Sequence, residues 1–258
     1  MMNLVKPSLL FLLISLIPFL ELTAKSFPTQ VTDSILYNWA ISGLNIRSAD
    51  HINAEKISAI PYGEPVTLLD EPHGRGYLLT IEDVFSNEDS GDKSGMYVDG
   101  RWVKIRYNAV EGYVFNGFLS SLPPMKLINE SSNNISSPES FQRYLERNFG
   151  SNYTGKEYAG SFYEFGKKEG YSNGAIYEKH GKEGWFEEVL ILPDVTLNEG
   201  KLLILFIYDS VETEVLDNDA KPGIMKQDST HFSVGLEGES YELYQFGSTL
   251  VIVLTRSC

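Results

Sequence analysis

From Ile35 to about Pro124 the apolar residues come in short runs, and Gly, Pro and Asp clusters interrupt every run before a helix could complete three turns. That punctuation allows brief strands and little else, because a helix needs an apolar face sustained at i, i+3, i+4 and i+7. The same stretch predicts a small β unit over residues 27–124. A hydrophobic fraction of 42% against 22% charged residues is ordinary for a packed globular chain. The charge is not ordinary: 35 acidic and 21 basic residues leave a net −14, which repels phosphate backbones and argues against a nucleic-acid partner.

The first 26 residues read differently. Lys6 precedes an apolar run from Leu9 to Leu20, and Ala24 and Ser26 then stand in a small-x-small arrangement. This is the pattern of a secretory signal peptide cleaved after Ser26. The run is shorter than the roughly 20 apolar residues that span a bilayer, so the expectation is export to the periplasm or the extracellular space, with no stable membrane insertion after cleavage. Loss of Lys6, Glu21 and Lys25 makes the mature chain more negative by one charge. The single cysteine, Cys258, offers no internal disulfide and no zinc cluster.

Beyond Pro124 the text changes again. Residues 125–137 include Glu130-Ser131-Ser132-Asn133-Asn134 and few apolar anchors, the composition of a linker. Residues 138–258 follow as a second unit. Ser137 as N-cap, Pro138 at the first helical position and Gly150 as the stop predict a helix, with Phe141, Tyr144, Leu145 and Asn148 on one face. Strands are expected at 174–178, 185–192, 201–208, 231–236, 241–246 and 249–255. Leu202 to Ile207 and Leu250 to Leu254 are apolar on both faces and read as central strands. Phe232, Val234 and Leu236 alternate with polar or small residues and read as a strand nearer an edge. Gly247-Ser248 predicts a two-residue hairpin. The fold class is therefore mainly β: a small barrel, then an α+β domain with an antiparallel sheet.

Four blocks in the first unit occur in a familiar order. They are Leu44-Asn45-Ile46-Arg47-Ser48, Tyr62-Gly63-Glu64-Pro65-Val66, Gly100-Arg101-Trp102-Val103-Lys104-Ile105, and Gly112-Tyr113-Val114-Phe115 with Phe118-Leu119-Ser120. Together they resemble the bacterial SH3 (SH3b) family over residues 36–122. The resemblance implies an SH3-like barrel that docks a peptide, peptidoglycan or an envelope protein. It departs from the family near 70–99, where an insertion replaces a short loop and is expected to extend a hairpin. Leu44 and Ile46 can point inward while Asn45 and Arg47 point out, and Gly63 and Gly112 are expected at chain reversals. Bulky rings on adjacent strands exceed what a small barrel can enclose, which makes Trp102, Tyr107 and Tyr113 the expected ligand-binding residues.

Other constellations carry less. His51, His73, His180 and His231 lack any metal-binding or catalytic spacing, and no nucleophile elbow or phosphate loop occurs. Asp89-Ser90-Gly91-Asp92 and Asp217-Asn218-Asp219 miss the calcium-loop pattern and read as solvated acidic loops. Tyr158, Tyr163, Tyr171 and Tyr177 read as packing residues of a β domain. The sequence thus points to a non-catalytic envelope protein with no cofactor and no metal. Two alternatives stand beside that expectation. One is an envelope hydrolase in the second unit using Glu183, Glu187 and Glu188, and the other is an assembly protein pairing through sheet edges.

Overall fold

The structure is a computed structural model and describes residues 32–72, 76–81, 95–129, 136–155, 157, 164–210, 222–236 and 238–257. The leader, the acidic stretches 89–92 and 217–219, the middle of the expected linker, His73, Tyr158, Tyr163 and Cys258 lie outside the described residues.

The chain is mostly β. Its first half holds β1 (Ile35–Asn38), β2 (Leu44–Arg47), β3 (Lys56–Ile60), β4 (Pro65–Leu68), β5 (Tyr77–Ile81), β6 (Met96–Gly100), β7 (Trp102–Tyr107), β8 (Val110–Phe115) and β9 (Leu119–Ser120). Seven of these form one sheet in the order β3-β2-β8-β7-β4-β1-β9, and β5 and β6 pair by themselves as a hairpin. Leu36, Ile46, Ile60, Leu68, Val103, Ile105 and Val114 fill the barrel. Each alternates with an outward residue, the period that β geometry imposes. The insertion thus builds the expected extra hairpin.

The second half begins with a short pair, β10 (Leu127–Asn129) and β11 (Ser136–Pro138), formed by the two ends of the polar segment. Then come α1 (Phe141–Phe149), β12 (Ser151–Thr154), β13 (Phe165–Tyr171), β14 (Ile176–Lys182), β15 (Trp185–Pro193), α2 (Leu197–Ser210), β16 (Gly223–Gln227), β17 (His231–Leu236), β18 (Glu239–Phe246) and β19 (Thr249–Ser257). The eight strands make one antiparallel sheet in the order β12-β13-β14-β15-β19-β18-β17-β16. Gly247 has φ 60° in the turn joining β18 to β19, and β17 lies next to the edge strand β16, both in line with the sequence.

Two local expectations are corrected. The first helix is capped by Ser140, whose hydroxyl accepts from the Arg143 N–H, and not by Ser137, which pairs in β11. Phe141, Tyr144 and Leu145 are its buried stripe as expected. The larger correction is Leu202 to Ile207, which is helix α2 and not a central strand. An apolar run covered on all sides satisfies either geometry. Here the N-terminus decides. Thr196 and Glu199 form a capping box: the Thr196 backbone N–H donates to Glu199 Oε2 at 2.9 Å, and the Glu199 N–H donates to Thr196 Oγ1 at 3.2 Å. Leu-rich text then propagates a helix readily.

Because Leu202 through Phe206 are all buried, α2 must be covered on both sides. The large sheet supplies one cover through Leu243, Leu250 and Ile252, and the first half supplies the other. Trp39 is 1% exposed, donates its indole N–H to Leu122 O at 3.0 Å and meets Phe206 edge-on at 6.4 Å. Tyr62 stacks on Phe206 at 5.0 Å. Met96 and Val98 of β6 are fully buried in the same cluster. Polar bonds cross the same boundary: Ser120 Oγ donates to Glu199 Oε1 at 2.6 Å, and Lys201 Nζ donates to Tyr97 O at 2.9 Å.

This shared cluster gives a physical reason to expect one unfolding transition instead of two. Trp39→Ala should cost about 3–5 kcal/mol, the usual scale for truncating a buried aromatic. Urea unfolding followed by far-UV circular dichroism should show one transition at a lower midpoint. Two separated transitions would mean that the halves fold independently.

Candidate functional site on the outer face of the barrel

Strands β7 and β8 are joined by a tight turn in which Asn108 has φ 52°. Their register sets Trp102 opposite Phe115, Lys104 opposite Tyr113 and Arg106 opposite Glu111. Val103, Ile105 and Val114 point into the barrel and are at most 2% exposed, so these three pairs lie on the outer face. The Lys104–Tyr113 pair continues across the sheet. Arg47 stands opposite Tyr113, and Lys56 stands opposite Arg47. One row therefore reads Lys56, Arg47, Tyr113, Lys104, with Trp102 and Arg106 two residues to either side of Lys104.

Gly112 makes this row possible. It is not at a chain reversal, as its place in the sequence suggests, but inside β8. A Cβ there would lie 2.5 Å from Ile46 Cγ2 and 2.7 Å from Arg47 O. Glycine lets β8 close onto β2, which brings Arg47 beside Tyr113. The Arg47 guanidinium is held by donation from Nη1 to Ala54 O at 2.7 Å. At the other end of the row, Arg106 donates to Glu111 Oε1 from Nε at 3.1 Å and from Nη2 at 2.9 Å, and Lys104 Nζ lies 3.5 Å from Glu111 Oε2. The Arg106 hydrogen bonds hold the Glu111 carboxyl below its ordinary range, with Lys104 adding to the effect. Four cations share this face with one paired carboxylate, on a chain whose net charge is −14.

The aromatics are positioned by contact. Trp102 meets Phe115 at 6.5 Å and 67°, and Phe115 meets Phe118 at 6.1 Å. The Phe115 ring fits closely against Gly100 and Gly117, where a Cβ would fall 2.6 Å and 2.4 Å from it. Phe115 is therefore a fixed backing for Trp102. Of the three residues that the sequence singles out, Trp102 and Tyr113 share the outer face and are partly exposed. Tyr107 is not with them. It falls on the same side as Val103 and Ile105 and packs against the barrel core, since an odd number of residues separates the two faces of a strand. Arg47, Lys56, Lys104 and Arg106 are functional candidates that sequence reasoning misses, although Trp102-x-Lys104-x-Arg106 shows the alternation that places the last two.

A concavity lies between the halves, a cleft of about 510 Å³ lined by Asp99, Arg101, Asn198, Glu199, Lys201 and Asp228 among others. Burial pulls the Lys201 ammonium below the usual lysine range, against the favourable fields of Asp99 and Asp228. Thr196 donates to one oxygen of Glu199, and Ser120 and Ser121 donate to the other.

Of the carboxylates of the hydrolase alternative, Glu187 and Glu188 do not converge. Glu188 lies on the same buried side of β15 as Leu190 and Leu192 and pairs with Lys179 at 2.8 Å. Glu187 points to the opposite side and pairs with His180 at 3.0 Å. His231 Nε2 lies 2.5 Å from Glu242 Oε2, and Ser233 Oγ donates to Glu242 Oε1 at 2.9 Å. The Glu242 carboxylate stands between the two, with the serine hydroxyl on one oxygen and the imidazole on the other. Among the described residues no three His, Cys, Asp or Glu side chains gather as metal ligands.

These features define a small all-β barrel fused to a larger antiparallel sheet. The family model for the bacterial SH3 domain matches residues 42–120. The chain thus carries a bacterial SH3 domain, at the place where the four sequence blocks lie. No curated protein and no solved structure matches the chain.

The Gly112 approach is testable. Gly112→Ala should destabilise the protein by about 1–3 kcal/mol through overpacking, because Arg47 O is backbone and cannot swing away. A chemical-denaturation midpoint equal to that of the parent protein would show that β8 does not rely on this glycine.

Proposed function

We propose that the chain is an exported, non-catalytic cell-envelope protein whose SH3 domain docks a peptide or peptidoglycan stem on its outer face. Bacterial SH3 domains commonly bind such ligands. The observation that carries the reading is the row Lys56, Arg47, Tyr113, Lys104 beside Trp102. A carboxylate-bearing peptide matches it. Arg47 and the lysines offer charge-assisted donors, and the partly exposed rings offer rigid apolar area with little entropy to lose. The diverging Glu187 and Glu188 weigh against the hydrolase alternative. Export rests on the leader, with cleavage after Ser26, and among the described residues no helix is long and apolar enough to cross a membrane.

Trp102→Ala should weaken binding to purified cell wall by about 30-fold, equivalent to about 2 kcal/mol, the usual hot-spot scale. Lys104→Ala should weaken it less and flatten its salt dependence. Tyr107→Phe should leave affinity unchanged. Cosedimentation with purified walls measures all three, with circular dichroism as the check on folding. Unchanged affinity in folded Trp102→Ala would remove this face from the function. Intact-mass analysis of the exported protein should show loss of residues 1–26, and a mass retaining Met1 would contradict the leader.

A further inference from the structure

The hairpin β5–β6 is anchored on one side only. On β6, Met96 and Val98 are fully buried and Lys201 holds Tyr97 O. The Tyr97 N–H donates to Gln227 Oε1 at 2.8 Å, which ties β6 to the edge strand β16 of the large sheet. The Asp99 N–H donates to Asn198 Oδ1 at 3.0 Å. On β5 the picture reverses. Among the described residues its sole strand partner is β6, and Tyr77, Leu78 and Leu79 are 50%, 64% and 42% exposed.

An exposed edge strand is a pairing template unless it is guarded. Three other edges are guarded. Strand β3 carries Lys56 and a register shift, β16 carries Lys226 and a register shift, and β12 has a register shift of its own. Strand β5 has none of these devices. Its register with β6 runs without interruption from Tyr77 opposite Gly100 to Ile81 opposite Met96, and Tyr77-Leu78-Leu79-Thr80-Ile81 contains no charge and no proline. Among the described residues the edge is open and uncharged, and it is held in place from behind.

We propose that this edge pairs with β5 of a second copy of the chain, antiparallel and centred on Leu79. The segment is complementary to itself in that register: Tyr77 meets Ile81 of the partner, Leu78 meets Thr80, and Leu79 meets its own counterpart on the two-fold axis. Tyr77, Leu79 and Ile81 then cover one another on one face, and Leu78 lies against Thr80 on the other. The end charges match as well. In the sequence Arg75 precedes Tyr77, whereas Glu82 and Asp83 follow Ile81, all three outside the described residues. Antiparallel pairing brings the basic end of each strand to the acidic end of the other, and the two small sheets merge into one of four strands.

Light scattering coupled to size exclusion, over a concentration series reaching about 100 µM, should show the mature chain at twice its monomer mass. Leu79→Lys and Leu79→Glu each place like charges face to face on the axis and should weaken the dimer on the order of 100-fold. An equimolar mixture of the two should recover the dimer mass, since the axis then holds opposite charges. Leu79 is exposed, and circular dichroism checks that both variants fold; Leu78→Lys with Leu78→Glu provides a second pair off the axis. A parent protein that stays monomeric overturns the proposal, as do variants that remain dimeric. A mixture that stays monomeric overturns the register.

Discussion

Glu199 is 8% exposed and sits where the two halves of the protein meet. A buried carboxylate is tolerated only when donors surround it, and its donors come from both sides. One oxygen closes the capping box with Thr196, which starts α2. The other receives the Ser120 hydroxyl and the Ser121 N–H from the end of the barrel. Two residues on, Lys201 repeats the arrangement with Tyr97 O. Removing one partner of such a group costs about 1–3 kcal/mol because a buried polar atom is left without its hydrogen bond. The helix, the barrel end and the inserted hairpin are therefore fixed against one another by groups that cannot be left unpaired.

That constraint divides the barrel's aromatic residues between two sides. Trp39 and Tyr62 are consumed by contact with Phe206, on the side facing α2. Trp102 and Tyr113 stay partly exposed on the outer face of β7 and β8, with Trp102 backed by Phe115, which itself packs on the shared cluster. The inserted hairpin belongs with Trp39 and Tyr62. Met96 and Val98 bury against the core, so the described part of the insertion serves to join the halves. Positive charge is concentrated on the outer face of β7 and β8 although the chain as a whole is strongly acidic, which selects anionic groups at this face and repels them elsewhere.

The barrel strands, five of the eight strands of the large sheet, the hairpin insertion and the α1 stripe are legible in the sequence because each depends on neighbours within a few residues. Leu202 to Ile207 is not, since a run buried all round carries no periodicity; Thr196-x-x-Glu199 is the local signal that marks a helix start there. Tyr107 is misplaced when aromatics on a strand are counted without following their alternation from Trp102. Arg47 and Lys56 are out of reach for another reason. Their place beside Tyr113 depends on strand register between segments far apart in the chain, and on Gly112 allowing β2 and β8 to approach. The cross-boundary role of Glu199 is likewise nonlocal.

A ligand that docks on the Trp102–Tyr113 face leaves the Trp39 face untouched. Amide and indole N–H resonances of isotope-labelled protein, followed during titration with a soluble muropeptide, test this with an internal control. Trp39 donates its indole N–H to Leu122 O inside the core, whereas Trp102 is partly exposed. The Trp102 indole signal and the amides of Arg47, Lys104 and Tyr113 should shift with saturation while the Trp39 indole signal stays in place. A shift confined to Trp39 and the amides of α2, with Trp102 unmoved, would contradict docking on the outer face.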